Sequence, residues 1–148
     1  MSHNTKLSVY LRSPVPEGTE QRQNSVLGRV DSLRRQAFVD EVAVTYWQRL
    51  STGVDPKESS DIEALERWAA DNGCTLAPTL DRHDRHSVFL GSDSVVTLPV
   101  VCVAYWEDDE LRGVFPHVGP CGHCTVADGL DRVESALRSG EPLAHTGA

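Results

Sequence analysis

Cys121-Gly122-His123-Cys124 is the stretch of this chain whose residue types and spacing could do chemistry. Two thiols separated by two residues can close a small disulfide or present two sulfurs to a soft metal. A helix starting just beyond Cys124 would favour a thiolate nearby, because its free N–H groups and dipole are positive at that end. His117 and His123 add two imidazoles, so His117, Cys121, His123 and Cys124 form a candidate zinc set. Zinc is the one cofactor these residues suggest. Four ligands within eight residues would strain a tetrahedron, and His83 with His86 could supply a second pair only if their segment folds over the loop. The plain alternative is two free thiols in a glycine-rich turn.

The other chemical candidates are weaker. Cys74 and Cys102 fall in expected strands and read as small buried hydrophobes. Asp108, Asp109 and Glu110 read as a hydrated turn. No G-x-S-x-G, P-loop or G-x-G-x-x-G motif occurs. The net charge of −8 argues against a broad grip on nucleic acid, which requires phosphate neutralisation by Lys and Arg. Nucleic acid is therefore not an expected partner; a protein partner is, with a homodimer as one form.

Positioning these residues falls to a chain of 148 residues, enough for one domain with a real core, residues 1–5 and 141–148 being tails. No signal peptide or membrane-spanning run is visible, which leads us to expect a cytoplasmic protein with no membrane partner. The longest apolar run, Val95 to Trp106, carries apolar residues at both parities, so it reads as an inner strand covered on both faces. Pro99 cannot donate to a ladder, so pairing is expected from Val100, with Thr97 to Pro99 as a lead-in.

Around that strand the elements follow from periodicity and turn chemistry. Leu7–Arg12 alternates as a strand. Thr19–Gln36 reads as a helix with Val26, Leu27, Val30 and Leu33 on one face. Val39–Arg49 is a second strand and Ser51–Ser59 a loop. Ser60 with Glu63 reads as a capping box that opens a helix ending at Asn72-Gly73. Cys74–Leu80 is an expected strand, Asp81–His86 a hairpin turn, Ser87–Leu90 a return strand and Gly91–Ser94 a turn. After the central strand, Glu107–Glu110 is a turn, Leu111–Phe115 a strand and Pro116–Cys124 a loop. Val126, Leu130, Val133 and Leu137 make one stripe of a last helix, opened by Thr125 with Asp128 and closed by Gly140.

This is an α/β order, β-α-β-α, an inserted hairpin, then β-β-α, and it resembles the thioredoxin fold. The carrying residues are Thr97-Leu98-Pro99 before the apolar strand, the Glu107–Glu110 turn, the second strand and the amphipathic helix. The resemblance implies a central mixed sheet with helices on both faces and makes Pro99 the equivalent of that fold's cis-proline. The family's early C-x-x-C is missing: Ser13-Pro14-Val15-Pro16 follows the first strand instead. Cys-Gly-His-Cys itself resembles the motif of protein disulfide isomerases, which implies Cys121 as attacking and Cys124 as resolving thiol. Strand directions would bring Pro99, the Ser13–Pro16 turn, Cys121 and Cys124 to one end of the sheet.

Twelve of the fourteen basic residues are Arg, only Lys6 and Lys57 being Lys. With abundant Asp, Val and Ala, this bias resembles proteins of halophilic archaea; a GC-rich bacterial genome would give a similar one. Val9 to Ser13, Arg22-Gln23, Val39 to Trp47 and Trp68 to Gly73 resemble a family of small proteins from those archaea, some carrying a helix-turn-helix label. Each expected helix is separated from the next by a strand, so a compact helix-turn-helix pair with a basic second helix is not expected. Three functions follow as expectations: a non-enzymatic accessory or regulatory protein working through protein contacts and responsive through Cys121/Cys124; a thiol–disulfide oxidoreductase; or a zinc-binding or helix-turn-helix regulator.

Overall fold

In the computed structural model, β1 (Thr5–Ser13) is the inner strand on which the rest is assembled. It pairs in parallel with β2 (Glu41–Gln48) and antiparallel with β6 (Val101–Glu107). The strand β7 (Glu110–Phe115) adds antiparallel to β6, completing a mixed sheet in the order β2-β1-β6-β7. The described residues are 4–13, 15–48, 50–51, 56–76, 80–87, 91–97, 99–120 and 122–140.

Alternation along the inner strands divides the core in two. Leu7, Val9 and Leu11 of β1 and Val101, Val103 and Tyr105 of β6 face one side. There they meet α1 (Glu17–Arg35) through Val30 and Leu33, and α3 (Val126–Ser139) through Val126, Leu130 and Val133. Tyr10, Cys102 and Ala104 face the other side, where α2 (Pro56–Asp71) brings Ile62, Leu65, Trp68 and Ala69. Both faces of β6 are thus covered, the arrangement expected for a strand apolar at both parities. The expected α/β order, with a central mixed sheet and helices on both faces, is the observed one.

Caps fix where helices begin and end. The Thr125 side chain accepts from the Asp128 N–H, and Asp128 accepts from the Thr125 N–H, so the expected box opens α3. Gly140 closes that helix in the left-handed conformation, and Gly73 sits in the same conformation just past α2. The start of α2 differs from expectation. It begins at Pro56, so Ser60 and Glu63 lie inside the helix. Proline suits a first turn because its φ is helical and its missing N–H would have had no partner there.

The insert also differs. The run Asp81–Ser87 is a strand, β4, paired with β5 (Gly91–Thr97), where Asp81–His86 and Gly91–Ser94 were expected as turns; of the return strand expected over Ser87–Leu90, residues 88–90 lie outside the described residues. Polarity alone does not bend a chain, and Asp-Arg-His-Asp-Arg-His lacks the Gly or Pro that would. β5 also pairs with β3 (Leu50–Ser51), making a separate three-stranded sheet. The long apolar run is therefore shared between two sheets, Val95–Thr97 in one and Val101–Trp106 in the other, with Pro99 between them. The expected strand over Cys74–Leu80 reduces, among the described residues, to a bridge between Thr75 and Val118. Cys102 is buried and Cys74 half-buried. No described helix is long and apolar enough to cross a membrane.

Candidate functional site

Residues 117–124, expected as a loop, contain a small hairpin of β8 (His117–Gly119) and β9 (Gly122–Cys124). Its register pairs His117 with Cys124 and Val118 with His123. Two backbone hydrogen bonds of 2.8 Å tie Val118 to Thr75, beyond the end of α2. The strands pair with each other, and this remote bridge pins the hairpin against the end of α2.

The hairpin sorts the candidate residues by face. Side chains of directly paired residues share a face, so His117 and Cys124 point one way and Val118 and His123 the other. His117 is 2% exposed and lies against the rings of Trp68 and Phe115, with centroids at 5.3 and 5.6 Å. Its Nδ1 is 2.6 Å from the carbonyl of Val114. A carbonyl only accepts, so Nδ1 carries the proton and neutral Nε2 is left as an acceptor. Among the described residues, that buried Nε2 has no hydrogen-bond partner. Burial lowers the imidazole pKa against the opposing effect of the Val114 bond, and the Arg132 and His123 charges lower it further.

Cys124 is 3% exposed and its thiol donates to the Thr125 carbonyl at 3.8 Å. Burial pushes its pKa up, Arg132 pulls it down, and Asp128 and Cys74 push it up again. A position beside the start of α3 does not make Cys124 a thiolate, because desolvation outweighs the favourable field. Cys121 lies outside the described residues, as do the side chains of His83 and His86. His123 is exposed on the face opposite His117 and Cys124. Among the described residues, no group of three or more His, Cys, Asp or Glu is placed to hold a metal ion.

His123 instead borders a cavity of about 600 Å³ at this end of the sheet. Pro99 and Val101 at the start of β6, Pro116, and Val126 of α3 form part of its wall, with Arg22 and Val26 on the α1 side. Pro99 is buried and shares this space with His123 of the β8–β9 hairpin. The peptide bond preceding Pro99 involves Leu98, outside the described residues. The Phe115–Pro116 bond is cis, and Pro116 lines the same cavity.

Gln23, which the sequence marks only as part of the Arg22-Gln23 pair, has a structural role at this end of the sheet. It is 5% exposed, and its side-chain amide donates to the carbonyls of Arg12 at 2.9 Å and Val100 at 2.8 Å. The signal was available: Gln23 precedes Val26, Leu27 and Val30 by three, four and seven residues, and so occupies the apolar stripe of α1. A polar residue on such a stripe needs a buried partner.

A family model described as a helix-turn-helix domain matches residues 1–137. No curated protein and no solved structure matched the chain. Among the described residues α1, α2 and α3 are each separated by strands, so consecutive helices do not form a compact pair. The match spans nearly the whole chain, from the first strand into the last helix, and the chain belongs to this helix-turn-helix domain family.

Proposed function

We propose that this chain is a non-enzymatic regulatory protein that acts through protein contacts in the gene-regulatory setting implied by its family's description. The observation that carries this reading is the edge of the main sheet. β2 is an edge strand, and its Val44 and Tyr46 are 43% and 62% exposed, the large hydrophobics most open to solvent among the described residues. An edge strand offers unpaired backbone groups, and apolar side chains on it add a contact surface for another chain, a second copy included. The helices are poorly placed for a DNA groove. Their apolar stripes pack on the sheet, and Arg29, Arg34 and Arg35 of α1 pair with Asp131 or Asp31.

The second reading is a protein that itself reads DNA, favoured by the family description. A thiol–disulfide oxidoreductase has less support, since the Cys124 thiol is buried and its pKa raised. The deciding experiment compares transcripts in cells lacking the protein with cells carrying Val44→Lys/Tyr46→Lys, whose folding is checked by circular dichroism. The double variant is expected to reproduce the deletion. A wild-type transcript pattern would reject protein contacts through β2, and tight sequence-dependent DNA binding by the purified chain alone would establish the second reading.

A further inference from the structure

We propose that the cavity between α1 and the start of α3 binds a small organic monocarboxylate with an apolar body. Its volume of about 600 Å³ is that of a small-molecule site. Val26, Pro99, Val101, Pro116, Val126 and Ala127 give it apolar walls. These suit a hydrocarbon or aromatic body and disfavour a fully hydrated ion.

The charge around it is one-sided. Across the whole chain acids outnumber bases, 22 to 14. Yet the titratable side chains described in the lining are Arg22 and His123, both bases, with no acid among them. Arg22 also differs from its neighbours in α1. Arg29, Arg34 and Arg35 each meet an aspartate, whereas Arg22 has no ion-pair partner among the described residues. A planar guanidinium donates two parallel hydrogen bonds to a carboxylate. Ser25 and Thr125 add hydroxyls, and Val126 and Ala127, the first-turn residues of α3 outside its capping box, border the cavity at the helix's positive end. The Asp128 carboxylate interacts with His123, but it is held in the α3 cap by the Thr125 N–H at 3.1 Å and is not part of the described lining. This site is independent of the β2 edge, so the two proposals stand or fall separately.

The test titrates the full chain with hydrocinnamate and follows its amide NMR spectrum. Phenylpropanol supplies the same body without the charge, and inorganic phosphate the charge without the body. Saturable shifts are expected at Ser25, His123 and Ala127. Hydrocinnamate should bind about tenfold or more tighter than the alcohol and lose a similar factor in Arg22→Gln, as for a charge-assisted hydrogen bond. Ser25→Trp, which fills the cavity from an exposed helical position, should abolish the shifts. Four outcomes would overturn the proposal: no saturable shift, equal binding of acid and alcohol, Arg22→Gln or Ser25→Trp binding like wild type, or phosphate reproducing the hydrocinnamate shifts.

Discussion

The side chain of Gln23 hydrogen-bonds the Val100 carbonyl at 2.8 Å and so ties the middle of α1 to the place where the chain enters the main sheet. The same amide nitrogen reaches the Arg12 carbonyl, and the Arg12 N–H donates to Val100 at 3.0 Å. One buried amide thus joins the end of β1, the start of β6 and α1, beside Pro99 and the cavity.

Gln23→Leu is therefore expected to destabilise the protein by about 1–3 kcal/mol, because the Arg12 carbonyl loses its described side-chain donor in a buried setting. Urea unfolding measures it: the midpoint should fall with little change in slope. A midpoint equal to wild type would show that the clamp adds nothing to stability.

Gly129 in α3 lies against Phe115 so closely that an added Cβ would stand 2.1–2.5 Å from three ring carbons. Gly129→Ala should cost about 1–3 kcal/mol through overpacking, more than the helix gains from alanine. Gly28 of α1 has nothing within 4 Å of the same position. Gly28→Ala should stabilise by about 0.5–1 kcal/mol. Thermal melts of the two variants should move in opposite directions; movement in the same direction would refute the packing argument.

His117 makes stability depend on pH. Burial holds its folded pKa below the ordinary 6.5, so its neutral form is favoured by folding. This stabilisation is complete above pH 6.5 and is lost as pH falls through that value toward the lowered folded one. Unfolding free energies from pH 8 downward should drop less steeply in His117→Phe than in the wild type. Parallel curves would mean that His117 titrates alike in both states.

Cys124 should resist alkylation. Its raised pKa and burial leave little accessible thiolate, so iodoacetamide at pH 8 should modify it much more slowly in the native chain than in urea. Peptide mass spectrometry reads this site by site. Modification of native Cys124 as fast as the unfolded chain would place a reactive thiol there and revive the oxidoreductase reading.

Sequence by itself determined the features that depend on local residue types. Val101–Trp106 was legible as a doubly covered strand because both parities are apolar, and α3 because Thr125, Asp128, Gly140 and its stripe all agree. The order of elements followed from those periods. Tertiary structure alone decided what depends on a distant partner. Thr75 pins Val118 of the β8–β9 hairpin, and the register of that hairpin turns His117 and Cys124 inward and His123 toward the cavity. Leu50 and Ser51 pair with β5, so the long apolar run serves two sheets. The physical reason is that a strand's period tells which residues share a face, while only its neighbours across the ladder decide which face is buried. Chemistry at Cys-Gly-His-Cys depended on that second choice, and the structure gave Cys124 to the core and His123 to the cavity.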